Sequence, residues 1–222
     1  MKIGIGIFAK TIGHSRVKTR LAEGIGQKLA EEFYSLSVKA VEEVVIRYLS
    51  TQKYNAVEIY WARPSGKYDI CTKGLGLGAA MHKVAKHILK ECEAYVLIGT
   101  DTPQISGETI DTVLTFMKED NGRLIFGPSR DGGFYLMAGT NIPTLDIMES
   151  VTYSQEDTLE QLLKLIDTDN KEYTLIEELS DVDIVDDLEH LHNYLKNRVA
   201  NNNILLESQK SILEWLNKRN LA

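Results

Sequence analysis

The sequence is poor in cysteine, has no long apolar run and carries no excess of positive charge, and each shortage excludes a class of protein. Its two cysteines, Cys71 and Cys92, form neither a CxxC pair nor a metal-ligand pattern, which indicates ordinary thiols in a reducing compartment. The first apolar run is short and interrupted by glycine, and no stretch approaches the roughly 20 apolar residues of a membrane span. We therefore expect a cytoplasmic protein without a signal peptide or a transmembrane helix.

Charge and length narrow the class further. A formal net charge of −7 argues against a broad nucleic-acid surface, although it is compatible with a local basic pocket for a small phosphorylated ligand. The 222 residues can bury one sizeable core. We predict one domain over residues 1–188 and a helical extension, residues 189–222, that packs on the same domain. A homodimer contact through these helices is the lower-ranked alternative.

Short apolar runs of β-type residues alternate with segments of helical periodicity along the chain. This alternation predicts an α/β fold, a three-layer α/β/α sandwich around a mostly parallel sheet. The strands are predicted over residues 2–8, 56–61, 95–98, 123–127, 134–138 and 172–176. Ligands of such sheets bind outside the carboxyl ends of the strands, so the charged loops that follow the strands are the candidate sites.

The stretch from Tyr95 to Pro103, YVLIGTDTP, shows this arrangement most clearly. An apolar run ends abruptly in a tight loop that carries one acid, Asp101. A carboxylate in this place can hold a hard cation such as Mg²⁺ against a phosphate. The alternative is that Asp101 only caps the helix that follows.

The loop after the first strand is basic. Lys10, Arg16, Lys18 and Arg20 lie within eleven residues, and a helix is predicted to begin near Val17. A helix start offers free N–H groups and a positive dipole end, to which the basic side chains add full charges. The loop is therefore a candidate phosphate site, and a solvated basic loop is the alternative.

Two further acids follow strands. Asp131 precedes Gly132 and Gly133, which would leave space for a ligand where side chains would block it, although Asp-Gly is also a common hairpin signal. Asp183 follows the last predicted strand and can reach the same edge of the sheet. Its alternative role is to cap the helix that begins there.

The segments that carry these residues occur in one order and resemble the GT-A-type nucleotide-diphospho-sugar transferase family. The resemblance is to the small bacterial and archaeal glycosyltransferase-like group, and more distantly to 2-phospho-lactate and molybdenum-cofactor guanylyltransferases. It covers about residues 2–188. The matching segments are Phe8-Ala-Lys10, Val17-Lys-Thr-Arg-Leu-Ala22, Gly99-Thr-Asp-Thr-Pro103, Pro128-Ser-Arg-Asp-Gly-Gly-Phe-Tyr135 and Asp181-Val-Asp183 with Asp187-Leu188.

The resemblance implies a Mg²⁺ or Mn²⁺ cofactor and a role for each candidate residue. The implied roles are phosphate binding for Lys10, Lys18 and Arg20, metal binding for Asp101 and Asp183, catalysis for Asp101 and Asp131, and lining of the sugar or acceptor pocket for Gly132 and Gly133.

The chain also departs from the family pattern in two loops. The middle loop lacks an acid and an arginine, which bears on base recognition or acceptor binding and indicates another substrate. The departures are Ile12, His14 and Ser15 in the first loop, and Gly76-Leu-Gly78 followed by Ala79 and Ala80 in the middle loop.

Three functions are compatible with these residues. The first is a metal-dependent glycosyltransferase that uses a nucleoside-diphosphate sugar and an unknown small-molecule acceptor. The second is a nucleotidyltransferase that joins an NTP to a phosphorylated acceptor and releases pyrophosphate. The third, favoured by the missing acid and arginine, is a nucleotide-binding protein that has lost catalysis.

Overall fold

The computed structural model of the protein describes residues 1–51, 57–119, 122–201 and 203–219. The predicted start of the second strand, Ala56, and the predicted end of the last helix, Asn220, lie outside these residues. Within the described residues, no helix combines the length and the apolar character that crossing a membrane requires.

Seven strands form one sheet in the order β3-β2-β1-β4-β6-β5-β7. All neighbouring strands are parallel except β6, which runs antiparallel to both β4 and β5. The predicted α/β fold with a mostly parallel sheet is therefore confirmed. The strands are β1 (Ile3–Phe8), β2 (Val57–Arg63), β3 (Ile70–Cys71), β4 (Ala94–Ile98), β5 (Leu124–Pro128), β6 (Phe134–Gly139) and β7 (Tyr173–Leu175).

Eight helices surround the sheet in the described part of the chain. They are α1 (Thr19–Ile25), α2 (Gln27–Thr51), α3 (Leu77–Ile88), α4 (Gly107–Glu119), α5 (Leu145–Ser150), α6 (Thr158–Thr168), α7 (Val185–Ala200) and α8 (Glu207–Arg219). Helices α2 and α4 cover one face of the sheet, while α3, α5 and α6 cover the other. These layers are the three that the alternating sequence pattern predicts.

The central strands are apolar on both faces because both faces are covered. In β4 every residue is buried. On β1, Ile3, Ile5 and Ile7 face α2 and α4, whereas the two glycines between them face α3. A Cβ atom at Gly4 would lie 2.2 Å from Ile88 of α3, so glycine here permits the close approach of helix and strand that the sequence indicates.

The structure differs from the predicted elements in three places. The helix predicted to start at Ile25 begins instead at Gln27, because Gly26, with φ of 85°, ends α1 and separates it from α2. The short strand β3 and the helix α5 lie in segments that sequence periodicity assigns to loops. Both are too short for a periodic pattern to distinguish them from loops.

Helix α8 packs against α2, and α7 packs against α8 and α1. The rings of Phe33 and Trp215 lie 5.7 Å apart, and the Arg219 guanidinium binds Glu32 at 2.9 Å. The boundary predicted at residue 188 falls inside α7, which begins at Val185. The division into a domain over residues 1–188 and an extension stays a prediction.

Candidate active-site cleft

Four loops meet at the carboxyl edge of the sheet, where they follow β1, β4, β5 and β7. Together with the loop before α3 they enclose a cleft of about 1600 Å³. All eight residues to which the resemblance assigns a role line this cleft, although they come from distant parts of the chain. They are Lys10, Lys18, Arg20, Asp101, Asp131, Gly132, Gly133 and Asp183.

Lys18 lies at the centre of a charged cluster. Its side chain is only 3% exposed, and its ammonium contacts the Asp101 carboxylate and lies 3.0 Å from Oδ1 of Asp183. Arg20 reaches the other oxygen, Oδ2, of Asp183 at 2.6 Å from the solvent side. Two of the three predicted phosphate-binding cations therefore contact the two predicted metal-binding carboxylates directly. Lys10 lies apart from the cluster, exposed on the cleft wall.

The cluster shifts the protonation equilibria of its members. Burial alone would lower the pKa of Lys18, but the facing carboxylates of Asp101 and Asp183 raise it above its ordinary value. Burial would likewise raise the pKa of Asp183, but the Lys18 ammonium and the Arg20 guanidinium lower it. Both groups are therefore held in their charged forms at neutral pH.

Neither Asp101 nor Asp183 is a helix cap, which was the alternative role of each. Helix α4 begins at Gly107, and Ser106 caps it by accepting a hydrogen bond from the Thr109 N–H at 3.2 Å. The backbone N–H groups of Asp183 and Ile184 donate to the Asp187 carboxylate instead. The carboxylates of Asp101 and Asp183 are thus left to face the cleft.

Helix α2 fixes the two loops that carry Lys10 and Asp101. The Lys10 N–H donates to the Tyr34 hydroxyl at 2.6 Å, and the Ser37 hydroxyl donates to the Thr100 carbonyl oxygen. Ser37 is fully buried. Its hydrogen bond therefore holds the loop that precedes Asp101 in a fixed position against α2.

The loops after β4 and β7 are also bonded to each other. The Val182 N–H donates to the Asp101 carbonyl oxygen at 3.0 Å, and the Gln104 side chain donates to the Ser180 carbonyl oxygen. Gln209 of α8, itself buried, donates to the carbonyl oxygens of Pro103 and Ile105. Sequence patterns assign neither glutamine a role, because a polar residue in a loop or on a helix gives no sign of the distant backbone group that it binds.

Asp131 sits in the hairpin turn between β5 and β6, which confirms the hairpin interpretation of the Asp-Gly pair. One carboxylate oxygen accepts from the Ser129 hydroxyl and from the Gly133 N–H. A Cβ atom at Gly132 would lie 1.8 Å from the Glu156 carbonyl oxygen, and its φ is 86°. The space predicted for a ligand at Gly132 is therefore taken by the backbone before α6, although the turn still lines the cleft.

Asp181 also lines the cleft, although the sequence patterns assign it no role. Burial, together with the charges of Asp101, Asp131 and Asp183, raises its pKa to about 8. Its Oδ1 atom is buried and has no hydrogen-bond partner among the residues that the structure describes. The pattern Asp-Val-Asp could have identified it, because Val182 is buried and residues i and i+2 of an extended segment share a side.

The carboxylates of this cleft are the type of ligand that binds a hard cation. Oxygen ligands are those that Mg²⁺ and Mn²⁺ prefer, and the orphaned Asp181 oxygen lies close to the two predicted metal ligands. Within the part of the chain that the structure describes, no three His, Cys, Asp or Glu side chains form a ready-made metal site. The Lys18 ammonium bridges Asp101 and Asp183 instead.

The loop before α3 forms an apolar wall of the same cleft. Leu75 and Leu77 line it and are 41% and 48% exposed. A Cβ atom at Gly78 would lie 2.0 Å from the Met148 carbonyl oxygen, so this glycine permits contact between α3 and α5. This part of the cleft wall is therefore apolar rather than charged.

Comparison with known proteins places the chain in a family. Residues 35–155, just over half of the chain, match the family model described as "Uncharacterized protein conserved in bacteria (DUF2064)". The chain belongs to the DUF2064 family. The matched part includes Asp101 and Asp131, whereas the basic loop and Asp183 lie outside it. No curated protein matches the chain in sequence.

Solved structures share the fold of this DUF2064 protein. A protein of Desulfovibrio desulfuricans G20, provisionally assigned as a nucleotide-diphospho-sugar transferase, superposes with a TM-score of 0.79 at 22% identity, over 98% of this chain and 95% of that one. CMP:2-keto-3-deoxy-manno-octonic acid synthetase in complex with CTP gives a TM-score of 0.52 at 16% identity, over 89% and 100% of the two chains.

A nucleotidyl transferase from Methanothermobacter gives a TM-score of 0.53 at 14% identity, over 88% of this chain and 98% of that one. At these identities the likeness concerns the fold. The resemblance of the sequence to the nucleotide-diphospho-sugar transferases is confirmed at that level.

Proposed function

We propose that this DUF2064 protein is a transferase that acts on a nucleoside-diphosphate sugar and passes the sugar to a small acceptor. The observation that carries the proposal is the meeting of Lys18 and Arg20 with Asp101 and Asp183 at the carboxyl edge of the sheet. Cationic side chains can bind a diphosphate, and carboxylates in the same cleft can bind the divalent cation that the diphosphate carries. The provisional assignment of the D. desulfuricans protein supports the same class of donor.

The cations and the carboxylates of the cleft have different roles in this reaction. Lys18 and Arg20 bind the diphosphate and stabilise the negative charge that grows on it as the bond to the sugar breaks. Lys10, exposed on the same wall, binds the phosphate nearer to solvent. Asp101 and Asp183 would hold Mg²⁺ or Mn²⁺, which when bound neutralises charge on the leaving diphosphate.

Asp131 serves the other substrate. One of its oxygens is fixed by Ser129 and by the Gly133 N–H, so the carboxylate is oriented before any ligand binds. The second oxygen accepts no hydrogen bond from the described residues, so it can accept one from a sugar or acceptor hydroxyl. Leu75 and Leu77, which are exposed and line the same cleft, give this acceptor an apolar surface.

A nucleotidyltransferase is the second candidate, favoured by the CTP-bound synthetase of similar fold. The same cations would bind the triphosphate of an NTP, and pyrophosphate would leave. The two reactions differ in their products, because glycosyl transfer releases a nucleoside diphosphate.

The test is to incubate the protein with a panel of nucleotide sugars and, separately, with NTPs, in Mn²⁺ and in Mg²⁺. Slow transfer to water stands in for the unknown acceptor. We expect free nucleoside diphosphate from one nucleotide sugar, and we expect Asp101→Asn to abolish it. Asp146→Asn, which removes an exposed acid outside the cleft, is the matched control and should retain the activity.

Other outcomes of this test contradict the proposal. Pyrophosphate released from an NTP, without turnover of any nucleotide sugar, would establish the nucleotidyltransferase instead. Tight binding of a nucleotide without any metal-dependent turnover would favour a binding protein that has lost catalysis.

A further inference from the structure

The Lys18 ammonium occupies the space between two carboxylates that a metal ion would have to share. It contacts Asp101 and lies 3.0 Å from Asp183, and both contacts are made through the Oδ1 atoms. Carboxylate oxygens bind Mg²⁺ and Mn²⁺ at roughly 2.0 to 2.2 Å. An ammonium and a divalent cation cannot both lie within ligand distance of the same two oxygens.

The backbone holds Lys18 in this place. Its φ of 45° and ψ of 48° lie in the left-handed region, which a residue with a Cβ atom seldom adopts. The following residue begins α1, so this conformation turns the lysine away from the helix and into the cleft. Strain of this kind persists when surrounding contacts compensate for it, and here the two carboxylates do so.

Within the described part of the chain, the ammonium makes its ion pairs with Asp101 and Asp183. The Lys18 side chain is 3% exposed, so water does not screen the contact as it would at the surface. Arg20 fixes Oδ2 of Asp183, which directs Oδ1 of that carboxylate towards Lys18. The geometry is that of a cation site filled by a side chain of the protein itself.

We propose that Lys18 is a built-in cation that competes with divalent metal for Asp101 and Asp183, and that it excludes metal from the cleft until nucleotide phosphates draw the ammonium away. The free protein then binds Mn²⁺ or Mg²⁺ weakly, and the metal enters with the nucleotide. The second half of this proposal rests on the proposed function, whereas the competition itself requires only the carboxylates and the lysine.

The competition is tested without any nucleotide. Mn²⁺ binding to the purified protein is measured from the loss of the free-ion signal in electron paramagnetic resonance. We expect Lys18→Met, which keeps the length of the side chain and removes the charge, to bind Mn²⁺ at least about tenfold more tightly than the wild type. Lys10→Met is the matched control, because it removes the same charge from the same cleft at a position exposed on its wall.

The control separates contact from long-range attraction. Lys10→Met changes the net charge of the cleft equally, so we expect it to change Mn²⁺ affinity by less than about threefold. Equal gains in both variants would mean that only net charge matters and would overturn the proposal. Unchanged affinity in a folded Lys18→Met protein would overturn it as well.

A second measurement uses the wild type and covers the case that Lys18→Met does not fold. Amine-specific acetylation, quantified by mass spectrometry, compares Lys18 with Lys10 in the same sample. Because Lys18 is buried against the carboxylates, we expect slow labelling that rises at least about threefold when Mn²⁺ saturates the site and releases the ammonium. Mn²⁺ binding without any change in the ratio of the two labels would refute the displacement of Lys18.

These outcomes do not depend on turnover. If no nucleotide sugar or NTP is ever consumed, the proposed function fails while the competition can still be demonstrated. If turnover occurs but Mn²⁺ binds the free wild type as tightly as it binds Lys18→Met, the competition fails and the proposed function stands.

Discussion

Substitution of Gly132 by alanine tests whether this glycine serves the fold or a ligand. The residue lies in the turn between β5 and β6, next to Asp131. A Cβ atom there would lie 1.8 Å from the carbonyl oxygen of Glu156 and 2.2 Å from its carbonyl carbon. Both are backbone atoms, so the contact cannot be relieved by rotating a side chain.

Two costs add at this position. The φ of 86° places alanine in the left-handed region, which costs roughly 1 to 2 kcal/mol. Forcing a methyl group against the backbone before α6 costs about a further 1 to 3 kcal/mol. Gly13 is a matched control because its φ is 82° and a Cβ atom there would have no neighbour within 4 Å. Gly13→Ala should therefore cost only the first amount.

The assay is urea unfolding of both variants and the wild type, followed by circular dichroism. We expect Gly132→Ala to lower the free energy of unfolding by about 2 to 5 kcal/mol, which is about 1 to 3 kcal/mol more than Gly13→Ala. If both variants lose the same free energy of unfolding, the contact with Glu156 has no energetic weight, and the glycine would then be explained by its backbone conformation or by a ligand.

Three further predictions concern the charges of the cleft. Asp101→Asn should remove the divalent-dependent part of nucleoside-diphosphate binding, a loss of at least about tenfold by calorimetric titration in Mn²⁺, and unchanged metal-dependent binding would refute its assignment as a ligand. Arg20→Ala should lower the affinity for a nucleoside diphosphate about tenfold and leave the affinity for the nucleoside unchanged, because the guanidinium contacts phosphate. Equal losses of affinity for both ligands would mean that the loop only shapes the fold. Folding raises the pKa of Asp181 from about 4 to about 8, so the folded protein binds the extra proton and the free energy of unfolding falls as pH rises through this range. With a chelator present, Asp181→Asn should reduce the fall in the free energy of unfolding between pH 5 and pH 9 by on the order of 2 kcal/mol, a value that allows for relaxation around the buried charge. If the free energy of unfolding of the variant and of the wild type changes with pH in parallel, the shift in the pKa of Asp181 is contradicted.

The sequence by itself determined the class of fold and the edge of the sheet at which the charged loops meet. Alternating apolar and helical periods predict a mostly parallel sheet, and β1 and β4 are found where those periods place them. The loops that carry Lys18, Asp101 and Asp183 follow from the same pattern, because the carboxyl ends of parallel strands lie on one edge. These inferences use patterns that repeat within a few residues, and such patterns do not depend on how the elements pack against one another.

Only the tertiary structure decided how the charged groups pair and which residues hold them. The bridge from Lys18 to Asp183 joins positions 165 residues apart, and no local periodicity encodes such a contact. The pairing of β6 with β4 and the burial of Asp181 likewise depend on which segments meet in space. Gly132 illustrates the difference, since its sequence context indicates space for a ligand and the packed chain fills that space with the backbone of Glu156.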